Sequence, residues 1–490
     1  MKLLHNAHFY IDGGFNNIFT SLLIDGDRIV NIPSNPLPGF PDLERIDLKG
    51  AYVYPGFIDA HTHSFSGGLY QDGVDLSACS SLDEILNLLS EAAKQGGEII
   101  FAWRFDEGKI REKRFPNVKE LDAVCPDSKL LLRRIDGHSC ILNSKARQSV
   151  TGLNSPEEVL TGADNDHAVN WLQDSCSEET ILKAYHAAAR AALRGGFTRI
   201  HTMVGDAEHS NQHYKLLRDH LNDFPVAFEP YPQSFDIRGA LELGATRIGG
   251  CILADGSIGS HTAGLSKKYA DAATSGNLYH SDLFWREFAA EAHSHGLQIC
   301  VHCIGDAAIR QINSAYAHLD KDEVRARRHQ LIHCEMTPDP LVAEIAASGA
   351  VPVMQPAFDL LWGGDDGFYA QRLGVERARQ MNRFASFYKA EVRICGSSDW
   401  YVTPLNIGMS LHAAMNHHNQ DERLRFYEAI EMYTDNNAWL AQEQSVLGKI
   451  APGFVADLSV MDTDFTAPFD YQASKTLLIF RNGNIVYAAG

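Results

Sequence analysis

Eight short apolar runs, separated by amphipathic stretches, constrain this chain more than any other feature of its sequence. They lie near residues 52–60, 197–205, 225–231, 247–255, 297–303, 329–335, 350–355 and 392–399. A strand that is apolar on both faces has no solvated side, so such runs belong to a parallel sheet covered by helices. The intervening stretches supply those helices. In "SEETILKAYHAAARAALRGG" Ser177 is placed to cap, Glu178 and Glu179 suit the positive end of the helix dipole, and Gly195-Gly196 end it. Its residues Ile181, Leu182, Tyr185, Ala188, Ala189 and Ala192 share one stripe. Further helices are expected over 281–296 and 306–318. Eight strand and helix units make a (β/α)8 TIM-like barrel the expected α/β architecture.

The two ends of the chain have another style. "SLLIDGDRIVNI" alternates apolar and polar residues around Asp25-Gly26, and "TLLIFRNGNIVY" does so around Asn482-Gly483. Both read as β-hairpins with tight turns. Lone hairpins are marginal in water, so the ends are expected to pair into one small β-sandwich domain, residues 1–55 with 445–490, flanking a barrel of 56–444. An insertion at about 67–180, with its own strand candidates "EIIFAW" and "KLLLRRID", is placed to cap the barrel mouth.

Charge excludes some partners. Against 43 Lys and Arg stand 62 Asp and Glu, a net −19 that disfavours nucleic acid and anionic membranes. Basic clusters such as Lys109 to Lys113 are short and mixed with acids, as solvated loops are. The opening "MKLLHNAHFYIDGG" has no apolar core of signal-peptide length, and no run is apolar enough to span a bilayer, so a cytoplasmic location is expected. Nine scattered cysteines fit a reduced compartment.

In a barrel of this kind, chemistry sits at the C-terminal ends of the strands. There the sequence puts His61 and His63 of "PGFIDAHTHSF", His201 of "RIHTM", Asp255 of "CILADGS", His302 and Asp306 of "CVHCIGD", His333 and Glu335 of "QLIHCEM", and Asp399 of "GSSDWY". His61 and His63 project to one side of an extended strand. Imidazole nitrogens and carboxylate oxygens in such number suit a divalent metal, Zn2+ first, with a position left for water. Asp399 beside that water is placed to take its proton and pass it to a leaving amine, which makes the reaction a hydrolysis at a carbon centre. His201 reads as locally bonded, and His412, His417 and His418 as surface residues.

With these residues in view, the chain resembles the amidohydrolase superfamily, in its YtcJ-like, amidohydrolase-3 branch related to N-substituted formamide deformylases. "YPGFIDAHTH", "RRIDGHSCILNS", "ADGSIGSHTA", "VHCIGDAAI", "SDWYVTP" and "YTDNNAWLAQEQSVLGKIAPGFVADLSVMD" fall in the family's order over nearly the whole chain. The resemblance implies the split β-domain, a strand-one metal pair of His61 and His63, the ligands His302 and His333, and Asp399 as acid/base and ligand. It places Arg134, Asp136 and His138 of the insertion on the substrate side, with Asp255 and Ser257 as the strand-four signature there. Three pocket positions depart from the pattern: His261 and Ala307 where Arg is common, and Phe358 where His is usual. Cys251 stands where relatives usually carry the lysine whose carbamate bridges two metals, and no carbamate forms on cysteine. Cys251 is then a small core residue or a thiolate ligand. The expected centre is one Zn2+ held by His61, His63, His302 and His333 with Asp399, or two ions if a bridge exists. The expected activity is cleavage of an amide-like or cyclic C–N bond in a small molecule. Alternatives are a deaminase or isomerase on the same metal scaffold, and a binding protein on a retired one. A homodimer is the commonest assembly for such chains.

Overall fold

The structure is a computed structural model, and it describes residues 1–11, 13–15, 21–32, 43–71, 73–96, 98–135, 137–205 and 212–490. The eight apolar runs form eight strands: β1 (Phe57–Thr62), β2 (Phe197–Val204), β3 (Ala227–Pro232), β4 (Arg247–Leu253), β5 (Gln298–Cys303), β6 (Gln330–His333), β7 (Val351–Met354) and β8 (Cys395–Gly396). They hydrogen-bond as two sheets, β3-β2-β1 and β4-β5-β6-β7-β8, with every ladder parallel. The α/β class is as expected. Among the described residues no ladder joins β3 to β4, and β1 meets the segment after β8 through a single parallel bridge, Thr62 to Trp400. Hydrogen bonding therefore does not close a barrel.

Two local causes shape this result. In β4 the pairing with β5 jumps between Ile248 and Ile252, where Gly249 and Gly250 take φ of 95° and 64°. Such a bulge takes residues out of the ladder and twists the strand. The expected strand 52–60 is divided at Gly56: Glu44–Pro55 joins another sheet and only β1 joins the parallel one. A Cβ on Gly56 would lie 2.5 Å from Thr198 Oγ1, so only glycine lets the chain cross there. The helices match their signals. Glu178–Arg194 starts where Ser177 Oγ accepts the Thr180 N–H, Asp282–Ser294 is capped by Ser281, and Asp306–Ala317 follows β5 directly.

The two ends of the chain do pair. One mixed eight-stranded sheet runs in the order Asn484–Ala488, Thr476–Arg481, Leu458–Met461, Glu44–Pro55, Lys2–Ile11, Ser21–Asp25, Arg28–Asn31, with Gly14–Phe15 added beside Lys2–Ile11. Both expected hairpins are in it. The turn Asn482-Gly483 has φ of 50° and 72°, as a tight turn between twisted strands requires. Leu4, Phe9, Leu22, Ile24 and Ile29 from the start share a core with Leu458, Val460 and Phe480 from the end. A sandwich of two sheets was expected, and the hydrogen bonds give one. The reason is Glu44–Pro55, which pairs on one side with the first strand and on the other with Leu458–Met461.

Residues Ser64–Ala188 form a compact unit of their own. Its five-stranded sheet has the order Val159–Thr161, Ser139–Leu142, Lys129–Arg134, Ile99–Phe105, Val74–Asp75, backed by the helix Leu82–Lys94. Among the described residues no helix is long and apolar enough to cross a membrane.

Candidate metal centre

Backbone hydrogen bonds between the end of β1 and the segment after β8 set the first part of the site. Asp399 N–H donates to the His61 carbonyl at 3.0 Å, and His63 N–H to the Trp400 carbonyl at 2.6 Å. This register puts the Asp399 carboxylate against both histidines. His61 Nε2 and His63 Nε2 each lie 3.3 Å from Asp399 Oδ1. Tetrahedral ligands with bonds of about 2.0–2.1 Å stand about 3.3–3.4 Å apart, so each histidine lies from the carboxylate oxygen at the spacing of two ligands on one ion. Buried polar atoms normally have hydrogen-bond partners. Here His61 is fully enclosed, yet beyond their 3.3 Å contact with each other neither its ring nitrogens nor Asp399 Oδ1 makes a well-aligned hydrogen bond.

The second part comes from β5 and β6, where Cys303 pairs with His333 and so sets His302 beside it. The His302 and His333 rings are 4.6 Å apart, and His61 to His333 is 5.4 Å. Hydrogen-bond partners assign the tautomers. His302 Nε2 donates to the Gly256 carbonyl at 3.1 Å, which leaves the Nδ1 lone pair facing Cys251 Sγ at 3.8 Å. His333 Nδ1 donates to Gln355 Oε1 at 2.9 Å, and the Gln355 amide nitrogen is held by Ser397 Oγ at 2.9 Å. Nε2 of His333 is then the nitrogen with a lone pair to give. Oriented this way by an outer partner, imidazoles are ready ligands. Sequence reading did not single out Gln355. Its only signal is that it directly follows β7.

The backbone is strained at the same place. His333, Cys334 and Asp399 have φ of 69°, 49° and 54°, in the left-handed region that side-chain-bearing residues avoid. Electrostatics follows burial. Burial by itself would raise the Asp399 carboxyl, but His61 and His63 against it, and His333 nearby, hold it below the usual carboxylate range. Burial lowers His61 and brings His333 down to about 4, so both imidazoles are neutral and able to bind metal at pH 7. Burial pushes the Cys251 thiol well up, with the Asp399 charge adding to the effect. Glu335, beside His333 in sequence, is pushed up to about 8 by burial and takes a hydrogen bond from Tyr369 OH.

The other expected residues lie as follows. Asp255 is fully enclosed, and its oxygens accept the N–H groups of Gly264, Ile304 and Gly305 at 2.8, 3.0 and 2.8 Å. Both oxygens are thus spent on tying the loops after β4 and β5 together. Ser257 Oγ accepts the Ser260 N–H inside the turn that follows. Asp306 is engaged by Ser266. His201 bonds Tyr231 OH through Nδ1 at 2.9 Å. Phe358 stacks on His333 with centroids 6.0 Å apart, and Trp362 packs on Phe358 at 4.7 Å. In the Ser64–Ala188 unit Arg134 pairs with Glu107 at 2.9 Å, His138 follows the strand that carries Arg134, and Asp136 lies outside the described residues.

One expectation is corrected. His417 is fully buried and His418 partly so, because Asp359 draws both inward. His417 Nδ1 accepts the Asn419 N–H at 3.0 Å, so the ring proton is on Nε2, 3.1 Å from Asp359 Oδ1. The three residues tie Asp359 to the segment after the helix Ile407–Met415, where the His418 N–H also donates to Asp359.

Comparison with known proteins identifies the family of the chain. The model of the Amidohydrolase family matches residues 44–487. The "Putative amidohydrolase YtcJ" of Bacillus subtilis (strain 168) is 28% identical over 92% of this chain and 91% of its own. The N-substituted formamide deformylase of Arthrobacter pascens is 23% identical over 94% and 93%. Among solved structures, an uncharacterized metal-dependent hydrolase from Pyrococcus furiosus superposes with a TM-score of 0.78 at 23% identity, covering 95% of this chain and 100% of that one.

Proposed function

The chain belongs to the amidohydrolase family and is a metal-dependent hydrolase acting on carbon–nitrogen bonds, and on that premise we propose that it opens an amide-like or cyclic amide bond of a small molecule at His61, His63, His302, His333 and Asp399. The observation that carries this reading is the set of enclosed, unsatisfied ligand atoms on His61 and Asp399, facing His63 at tetrahedral spacing. His61, His63, His302, His333 and Asp399 would hold a divalent ion, Zn2+ by the preference of these donors, which would supply an activated water near neutral pH and a Lewis acid for the carbonyl.

The protein's own groups do the rest. Asp399 is a carboxylate at neutral pH, held so by the histidines around it, and is placed to take a proton from the attacking water and return it to the leaving nitrogen. Gln355 and the Gly256 carbonyl keep His333 and His302 in the ligating tautomer. Phe358 and Trp362 form an apolar wall against His333, suited to an uncharged substituent of the substrate. In this reading Arg134, Asp136 and His138 are the substrate-binding residues that the family resemblance implies. Asp255 and Ser257 act on the substrate side by shaping the loop. We read the two parallel sheets as a (β/α)8 barrel with the bulged β4 at its seam. The single terminal sheet, in which the Gly26 and Gly483 turns meet, serves as its small β-domain.

A panel of N-acyl amines, N-acyl amino acids and cyclic amides, with products resolved by mass spectrometry, tests this reading. Release of a carboxylate with an amine, or ring opening by one water, supports it. Ammonia from an amidine-like ring, or an isomer with no water added, overturns it in favour of a deaminase or an isomerase.

A further inference from the structure

Cys251 stands between the two histidine pairs. Its Sγ groups with ring nitrogens of His61 and His63, all within 4.8 Å of one another, and likewise with those of His302 and His333. Among the described residues it is the one side chain common to both sets. The bulge in β4 is what aims it there. Gly249 and Gly250 precede it in left-handed backbone, and a Cβ on Gly249 would lie 2.2 Å from the Cys300 carbonyl. Bulges beside active sites re-aim a side chain in this way.

A packing role accounts for part of the environment, since Cys251 belongs to an apolar cluster with Ala60, Met203, Tyr231 and Cys300. It does not account for the rest. The sulfur faces the His302 lone pair at 3.8 Å, near the separation of about 3.6 Å for sulfur and nitrogen on one tetrahedral ion. On its other side His61, enclosed, has no hydrogen bond at either ring nitrogen. The sulfur–imidazole contact also serves as the hydrogen bond of a protonated thiol, but apolar packing does not call for the enclosed, unbonded His61 nitrogens or for a sulfur within reach of both histidine pairs.

We propose that Cys251, as a thiolate, bridges two divalent ions, one held with His61, His63 and Asp399 and the other with His302 and His333. The inference rests on the metal-dependent reading above and replaces its single ion by a pair. The sulfur lone pairs serve both ions, and the thiol proton leaves to solvent as metal enters, so loading releases a proton from Cys251. Thiolate with imidazole selects Zn2+ or Co2+ over Mg2+ and Ca2+.

Cobalt titration of the metal-free full chain tests the bridge, read by elemental content and by thiolate-to-cobalt absorption in the near ultraviolet. The expected result is about two ions per chain with the thiolate band. In Cys251→Ser the band is lost and the content falls to about one, while circular dichroism stays native. Cys251→Ala serves if the serine variant does not fold. One ion per chain, with or without the band, overturns the bridge and leaves the hydrolase reading standing, as does a band that persists in Cys251→Ser. No cobalt bound overturns both.

Discussion

Asp399 holds its backbone in a strained conformation and its carboxylate between two imidazoles, and the proposed ligand and proton-carrier role makes it the first residue to test. Asp399→Asn keeps the shape and removes the basicity. Its kcat is expected to fall by about 10²–10⁴ while elemental content shows metal retained, and unchanged turnover sinks the acid/base role. Gln355→Leu acts one step further out. Without an acceptor for Nδ1–H, His333 loses its fixed tautomer, and competition with a chelator should show metal affinity about 10–100-fold weaker while melting of the metal-free protein stays nearly unchanged. At this scale His61, His63 and Asp399 were legible in the sequence, because strand periodicity and strand ends are local. Gln355 was not, since what marks it is a contact with a residue on the neighbouring strand.

Elements carry their own tests. The bulge in β4 tolerates no side chain at Gly249, where φ is 95° and a Cβ would strike the Cys300 carbonyl. Gly249→Ala is expected to cost about 1–3 kcal/mol or more, read as a lower denaturant midpoint with an unchanged slope. Asp255→Ala leaves three backbone N–H groups without their acceptor, and a loss of roughly 2–5 kcal/mol is expected from the same measurement. At the start of β6, His329 accepts the Ile299 N–H on Nδ1 and contacts His293 through Nε2. Burial first, then the charges of His293 and Arg327, bring it down to about 3. The unfolded chain titrates near 6.5, so between about 6.5 and 3 only the unfolded state takes the proton. The stability from neutral His329 is complete above about pH 6.5 and falls as the pH drops, by up to about 1.4 kcal/mol per unit. Urea midpoints of His329→Gln should therefore fall less between pH 7 and pH 4 than those of wild type, and parallel curves rule the account out.

Over the whole molecule, metal that binds only the folded chain stabilises it by mass action, about 4 kcal/mol at a free concentration a thousandfold above Kd. A chelator should lower the melting temperature of wild type and leave that of His61→Ala/His63→Ala unmoved, and equal sensitivity in both would remove these histidines from the site. How far the sequence reached can be judged from particular segments. Periods of two and 3.6 residues gave the eight strands, the helix Glu178–Arg194 and the hairpin at Asn482-Gly483, because each depends on neighbours along the chain. The same local order gave the histidines and Asp399 as a set. The division of residues 52–60 between two sheets, the open edge at β4, the burial of His417 and the station of Cys251 between two histidine pairs came only with the tertiary structure. Each depends on what a distant segment does: Thr198 beside Gly56, Asp359 beside His417, and His302 beside Cys251. A sequence fixes which residues can bond, and packing of segments far apart in the chain decides which of them meet.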